Sequence, residues 1–468
     1  MHANRRSGRL DHFFFSEVIR LSLVGKQLLK SELSFPYDKQ HVQIVESIVK
    51  TKQGYRCVRC NNDDQQLFAS FPCARCGRTC MYCRKCIMMG RCSECNPLVI
   101  WIGPTPSTSF SSPLQWNGQL SPAQQLASDE VCQAIDRNDS LLVWAVCGAG
   151  KTEVLFAGIN MALSHGKRVC IAAPRTDVVL ELAPRLASVF PSVDMAALYG
   201  GSQDRGKLAS LMVTTTHQLL RYYRAFDVMI VDEVDAFPYS VDPMLSYAVE
   251  RARKPTSSLI YLTATPNEQW QREVKSGKRK AVTIPARYHR HPLPVPTFEW
   301  CGNWQKKWRN QRLPSCVVQW VHEHLERNKQ AFLFVPHIDF LQQVVLFLQQ
   351  FHPRIEGVHA EDPKRKEKVL AFRRGQIPIL VTTTILERGV TVPNVDVAVL
   401  GAEQPIFTES ALVQIAGRVG RSAQHPTGDV RFFHFGKTKA MVAAKRHIER
   451  MNNEARKRGL INEMSHLS

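Results

Sequence analysis

Gly148, Ala149, Gly150, Lys151 and Thr152 carry the most chemically telling spacing in the chain, inside the stretch "LLVWAVCGAGKTEVLFAGI" at 141–159. An apolar run breaks there into a glycine turn and resumes with helical spacing, which places the turn between a strand and a helix. Gly148 and Gly150 let the backbone turn sharply, so that its N–H groups face phosphate oxygens. Lys151 then supplies a charge to β- and γ-phosphates, and the Thr152 hydroxyl is a ligand for Mg²⁺. A helix starting at this point adds the positive end of its dipole. The first glycine usual in such a loop is Ala145 here. A plain strand-to-helix turn with a solvated lysine is the bland alternative, and the combined spacing of glycines, lysine and threonine weighs against it.

Two further groups suit the same chemistry. "VMIVDEVDAF" ends a buried strand on Asp232 and Glu233. A carboxylate at a strand end can hold Mg²⁺, and its neighbour can orient and deprotonate an attacking water. Alone the pair could be an acidic helix cap; after a phosphate loop it reads as the other half of a nucleotide site. In "QIAGRVGR", Arg418 and Arg421 lie three apart, on one face if the segment is helical. Arginines inserted there would neutralise the charge that spreads over a transferring phosphoryl group.

Cysteines crowd between Cys57 and Cys95 as the pairs Cys57/Cys60, Cys73/Cys76, Cys83/Cys86 and Cys92/Cys95, with Cys80 between. CxxC turns give thiolates the bite that tetrahedral Zn²⁺ requires, and eight such ligands serve two ions. An iron–sulfur cluster fits the near-regular pairs less well. Spacing allows both sequential pairing, 57/60 with 73/76, and interleaved pairing, 57/60 with 83/86. So short a segment has little apolar core, so zinc is expected to supply its folding energy.

The elements that must position these groups follow from length and pattern. At 468 residues, two or three domains are expected. The composition is 44% hydrophobic, and 61 Lys+Arg against 41 Asp+Glu leave a net charge of +20. That excess draws polyanions, nucleic acid first, although an anionic membrane surface feels the same field. No apolar run reaches the ~18–20 residues of a membrane helix. The N-terminus lacks the apolar core of a signal peptide. A cytoplasmic setting is expected, with the fourteen cysteines as thiols or metal ligands.

The chain parses into an N-terminal segment without a nameable role (1–53), the cysteine-rich module (54–98) and a Pro-, Ser- and Gly-rich linker (99–117). Two α/β blocks follow at 118–290 and 291–468. Strands are expected at 141–146, 168–172, 211–214, 228–231 and 259–262, then at 331–335, 379–382, 395–400 and 430–434. Strands alternating with helices imply parallel sheets. Trp300, Trp304 and Trp308 recur among Lys306, Lys307, Arg309 and Arg312. They could stack bases, but packing of the second block is the favoured reading. The segment "TKAMVAAKRHIERMNNEARKRG" reads as one basic helix.

The order of these motifs resembles that of superfamily 2 helicase-type ATPases, which implies two tandem RecA-like domains. On that resemblance "GAGKT" is the phosphate loop, Gln124 in "LSPAQQ" reads adenine, and "AAPRTDVVLELAPRL" and "TTTHQLL" are motifs Ia and Ib. "DEVD" is motif II, "LTATP" with Thr263 and Thr265 is the coupling motif III, and "FLFVPHID" is motif IV. "VTTTILERGVTVPNVDV" is motif V and "QIAGRVGR" motif VI. The resemblance implies ATP contacts from Gly389 and Gln414 and DNA contacts from Arg175, Thr216 and Thr383. ATP would bind between the domains and close them. "DEVD", Thr391 and "QIAGR" are closer to DNA translocases than to DEAD-box RNA helicases.

With the cysteine module in front, "YCRKCIMMGR" and "GRVGRSAQHPTGDVRFFHFGKTKAMVAAKRHI" resemble the ComFA family of late competence ATPases, from about Gln53 onward. That family drives transforming DNA inward through a membrane channel, which implies single-stranded DNA and the competence uptake machinery as partners. The chain would then work on the cytoplasmic side, at the membrane through those partners. The shared zinc ligands of the family correspond to Cys57, Cys60, Cys83 and Cys86, leaving Cys73, Cys76, Cys92 and Cys95 as a second set. A replication-restart helicase and a nucleotide-switched adaptor are the competing readings. Unwinding, direction and oligomeric state stay open.

Overall fold

A computed structural model describes residues 23–33, 39–386 and 392–462. The chain divides into two compact units. One is built from the chain up to Gln119 with 128–142 and 155–262, the other from 120–127, 143–154 and the chain from Thr263 onward.

In the first unit, seven short strands form the N-terminal module: β1 Gln27–Leu29, β2 Val42–Val45, β3 Ile48–Thr51, β4 Gly54–Cys57, β5 Phe68–Pro72, β6 Thr79–Cys83 and β7 Leu98–Trp101. β3–β4 and β5–β6 are antiparallel hairpins, and β7 lies between β1 and β2. The central β7, "LVIW", is buried along its whole length. Leu23, Val24, Val42, Val99 and Trp101 form its core. Two of the three strands of this small sheet therefore come from the segment ahead of the cysteines.

The module is seated on the rest of its unit. Glu32 pairs with Arg221 at 2.8 Å, Gln27 Nε2 donates to Leu220 O at 3.0 Å, and Tyr247 OH donates to Val58 O at 3.1 Å. Lys85 pairs with Asp242 at 3.2 Å. These contacts land on the 3-10 turn Thr216–Arg221 and on the helix Pro243–Ala252 with its cap.

Seven strands make the next sheet: β8 Ser140–Ala145, β9 Val169–Ala173, β10 Met195–Leu198, β11 Leu211–Thr215, β12 Phe226–Val231, β13 Arg253–Thr263 and β14 Ala281–Ile284. Their order is β10-β11-β9-β12-β13-β8-β14, and β10 through β13 pair in parallel. The last sheet contains β15 Thr297–Trp300, β16 Gln330–Phe334, β17 Glu356–Val358, β18 Ile379–Thr382, β19 Val395–Leu400 and β20 Val430–His434. It is wholly parallel, in the order β15-β20-β19-β16-β18-β17. These are two RecA-like parallel-sheet domains.

All nine strands expected from sequence are present. The four that were not expected, β10, β14, β15 and β17, are the four edges of the two sheets. Central strands such as β9 and β19 are buried at every residue, whereas β10 and β14 alternate and β15 has no buried residue. A continuous apolar run marks a strand covered on both faces, and an edge lacks it. Trp304 is buried in the core of the last sheet with Trp308 packed beside it, while Trp300 stays exposed. The packing reading holds for two of the three tryptophans. No helix among the described residues is long and apolar enough to cross a membrane.

Candidate nucleotide site and cysteine centres

The phosphate loop follows β8. Gly148 (φ +81°) and Gly150 (φ +71°) take the left-handed backbone that only glycine adopts freely, as a phosphate-cradling turn needs. Gln124, on the helix Pro122–Asp136, is buried against the loop. Its Nε2 donates to Ala149 O (2.9 Å) and Gly150 O (3.4 Å), and its Oε1 accepts from Ser121 N at 2.8 Å. A Cβ on Gly150 would lie 2.3 Å from that Nε2. The residue expected at the adenine is thus placed as a brace of the loop.

The regular helix begins at Phe156, after a 3-10 turn at Glu153–Leu155, and so later than the spacing implied. The Gln124 amide occupies the carbonyls that the first helical N–H groups would use. Lys151 and Thr152 consequently sit on a turn.

The same unit brings motif VI onto this loop. Cys147 Sγ donates to Gln414 Oε1 at 3.0 Å, and a Cβ on Gly417 would lie 2.6 Å from Cys147 Cβ. Gln414 Nε2 is buried with no hydrogen-bond partner among the described residues. The helix Glu409–Ala416 stops at Gly417, so Arg418 and Arg421 lie on the following turn rather than on a helical face. Gly420 (φ +68°) completes that turn. Arg418 is buried with its guanidinium 5.6 Å from the centre of the Phe332 ring, and Arg421 Nε donates to Gly417 O at 3.1 Å.

Arg287 went unnoticed in the sequence. It is 1% exposed. Its Nη1 donates to Gly420 O (2.5 Å) and Nη2 to Gly417 O (3.2 Å), while its Cγ lies 3.5 Å from where a Cβ on Gly148 would stand. Tyr288 N donates to Gly148 O at 3.2 Å, and His289 Nε2 bonds Gly420 O at 3.0 Å. One three-residue segment therefore clasps the phosphate loop and the arginine turn together. Burial pulls the Arg287 pKa down to about 10. It lies in the stretch "IPARYHRHPLPVP" at 284–296, outside every motif in the sequence. Arg287→Ala removes two buried charge-assisted hydrogen bonds, leaving Gly420 O to His289 and Gly417 O to Arg421, a loss of about 1.5–3 kcal/mol each. It is expected to lower kcat for ATP well beyond any change in KM, read by steady-state hydrolysis, with Arg287→Lys recovering only part because it lacks the fork.

Motif III joins the same assembly. Thr265 N donates to Thr263 Oγ1 at 3.0 Å, and Thr265 Oγ1 donates to Ser410 Oγ on the motif VI helix at 2.8 Å. The basic helix Lys439–Lys457 packs here too: His447 Nδ1 lies 3.1 Å from Glu409 and its ring centre 5.7 Å from that of Trp144.

In the other unit, Arg175, Thr216 and Asp232 each follow the carboxyl end of a strand, in β9, β11 and β12, which are parallel neighbours. Ligand sites of such sheets lie at that edge. Asp232 N donates to Ala172 O at 2.8 Å, and Asp232 Oδ1 accepts from Glu233 N at 2.8 Å. Glu233 has φ +54°, a left-handed conformation that strains a non-glycine residue. Such strain concentrates where a side chain must be aimed. Thr216 is fully buried. Thr383 follows β18, and Gly389 lies outside the described residues.

The cysteines resolve into two groups. Cys57, Cys60, Cys83 and Cys86 place their Sγ atoms within 4.8 Å of one another, all buried. This is the interleaved pairing. Cys57–Cys86 and Cys60–Cys83 are 3.8 and 3.7 Å apart, and a tetrahedral Zn²⁺ with bonds of about 2.3 Å spaces its sulfurs about 3.8 Å apart. The donors therefore fit zinc. Bonds from Cys60 and Cys83 pull the Cys57 thiol down to about 4, and bonds from Cys57 and Cys60 hold Cys86 below the usual thiol range. Arg59, buried inside the first CxxC, donates to Cys86 Sγ (3.1 Å), Cys86 O (2.8 Å) and Met89 O (2.8 Å). Its charge offsets a four-thiolate centre.

The second group is Cys73, Cys76, Cys80 and Cys95. It corrects the expected set, with Cys80 standing where Cys92 was placed. The reason is strand pairing. Cys83 N donates to Cys92 O and Glu94 N to Met81 O, both at 3.1 Å, so 92–95 runs antiparallel to β6. That register sets Cys92 opposite Cys83 and Cys95 opposite Cys80. Cys92 is buried beside the first group, where bonds to Cys57 and Cys86 push its thiol well above the usual range.

Two parallel-sheet domains, a braced phosphate loop and a motif VI turn define a helicase-like ATPase of superfamily 2. Family models agree: "Type III restriction enzyme, res subunit" matches 117–268, "Helicase conserved C-terminal domain" 312–423, and "Competence protein ComFA N-terminal domain" 12–100. Yeast Dbp5 bound to RNA and ADP BeF3 shares the fold at TM-score 0.51 and 16% identity, over 72% of this chain and 92% of that one. Competence protein ComFA of Bacillus subtilis is 51% identical over 450 residues, 95% of this chain and 97% of that protein. That of Streptococcus pneumoniae is 37% identical over 93% of this chain and 99% of its own length. The chain belongs to the ComFA competence protein family.

Proposed function

We propose that this protein is an ATP-driven motor that moves along single-stranded DNA and powers entry of transforming DNA during competence. The phosphate-loop amides of Gly148, Ala149 and Gly150 and the Lys151 ammonium hold the phosphates, with Gly389 and Gln414 completing the nucleotide contacts and Gln124 bracing the loop. Thr152 and Asp232 hold Mg²⁺, which neutralises charge on the phosphates when bound. Glu233 takes the proton of the attacking water, and Arg418 and Arg421 neutralise the transferring phosphoryl group. Thr263 and Thr265 pass the change to motif VI through Ser410. Arg175 and Thr383 contact the DNA backbone, whereas Thr216, buried just after β11, is a packing residue rather than a contact. The Cys57/Cys60/Cys83/Cys86 centre holds structural zinc.

The observation that carries this reading is the direct seating of motif VI on the phosphate loop through Cys147, Gln414 and Arg287. A passive nucleotide switch has no need of an arginine turn clasped to its phosphate site. Its family, its strand-end residues and its charge of +20 favour a DNA polyanion. A replication-restart helicase is disfavoured because the cysteines precede the helicase core. The working place is the cytoplasmic side of the membrane, beside the uptake channel and its competence partners.

The test is ATP hydrolysis by the purified protein alone and with single-stranded DNA, duplex DNA or RNA. Strong stimulation by single-stranded DNA is expected. Best stimulation by RNA would overturn the competence reading and leave the ATP site standing.

A further inference from the structure

We propose that Cys73, Cys76, Cys80 and Cys95 form a second zinc site, independent of the buried centre, that closes the free end of the β5–β6 hairpin. The inference does not depend on the motor reading.

The four Sγ atoms lie within 4.8 Å of one another. Cys73–Cys95 and Cys76–Cys80 are each 3.3 Å apart. That is well beyond the about 2.05 Å of a disulfide and about half an ångström short of the about 3.8 Å edge of a tetrahedral zinc–thiolate centre. A small opening of the cluster would admit the ion. Four soft sulfur donors in one tetrahedral nest select zinc over magnesium or calcium.

Each ligand is delivered by a defined local structure. Cys73 and Cys76 sit on a tight turn in which Cys73 N donates to Arg78 O (2.9 Å) and Gly77 N to Cys73 O (2.8 Å), with Gly77 at φ +68°. β6 supplies Cys80 to this group and Cys83 to the other. Three residues apart on a strand, the two side chains leave from opposite faces, so one strand serves two centres. The antiparallel segment after Cys92 carries Cys95 across from Cys80.

The hairpin also needs such a tie. β5 buries only Phe68. Beyond it, Arg91 stacks over Phe71 and Tyr82 at 4.5 and 5.5 Å, a contact that stabilises modestly. A two-stranded hairpin with so little covered apolar surface is marginal in water, and zinc binding supplies the folding free energy that packing does not. The two centres differ in access. All four ligands of the first are buried, while Cys76 and Cys95 are half-exposed. The second ion should exchange faster.

Native mass spectrometry and elemental analysis of the full chain are expected to find two zinc ions. Cys95→Ser should leave one and Cys92→Ser two, although both residues belong to one CxxC. Because a variant can misfold, a second measurement uses the unaltered protein: zinc release to 4-(2-pyridylazo)resorcinol should be biphasic, one ion fast and one slow. The proposal is overturned by a single zinc in the unaltered chain, by iron, by loss of an ion in Cys92→Ser, or by both ions surviving Cys95→Ser.

Discussion

Glu233→Gln is expected to cut ATP turnover by about 10²–10⁴-fold, the usual contribution of a positioned general base, while leaving nucleotide binding nearly intact. Glutamine keeps the size and the hydrogen-bonding shape of the side chain, so it should tolerate the same aimed backbone, at φ +54° beside Asp232. Only the ability to accept the proton is lost. Lys151→Ala should abolish turnover by another route, because the phosphates lose their nearest fixed cation, and ATP affinity should fall with it. Single-turnover hydrolysis together with binding of a fluorescent ATP analogue separates the two. Turnover within twofold of the unaltered protein in either variant would refute the assignment of the site.

Cys60→Ser should be the most damaging single change outside the nucleotide site. The Cys57–Cys86 and Cys60–Cys83 separations of the first centre match the edges of a tetrahedral zinc–thiolate site, and structural zinc contributes apparent free energies of about 10–16 kcal/mol at neutral pH. Losing one thiolate forfeits much of that, and it leaves Arg59 buried beside a weakened centre. The expected result is loss of one zinc and rapid hydrogen exchange across β3 to β6, with ATP binding by the sheet domains retained. Unchanged exchange protection in that region would mean that packing, not zinc, holds the module.

Much of this was legible in the sequence because it is local. A phosphate loop, an acidic strand end and an arginine turn are each written in a few adjacent residues, and central strands announce themselves as unbroken apolar runs. The parts that escaped depend on what lies across from a residue. Edge strands alternate, expose their faces or, like the three-residue β17, are too short, so β10, β14, β15 and β17 carry no apolar run. Cys92 and Cys95 look like one chelating pair, yet antiparallel pairing with β6 sends them to different groups. Gln124 occupies an adenine-reading position in the motif order, and its amide is spent on the loop. Arg287 belongs to no motif and is found only by the carbonyls it holds.

The central claim is movement along single-stranded DNA, and the most direct test is stopped-flow translocation on strands of increasing length with a fluorophore at one end. A lag that grows in proportion to length, requires ATP hydrolysis and disappears in Glu233→Gln is the predicted result. A signal independent of length, with hydrolysis proceeding normally, would contradict the motor and leave an ATPase that grips DNA without travelling on it.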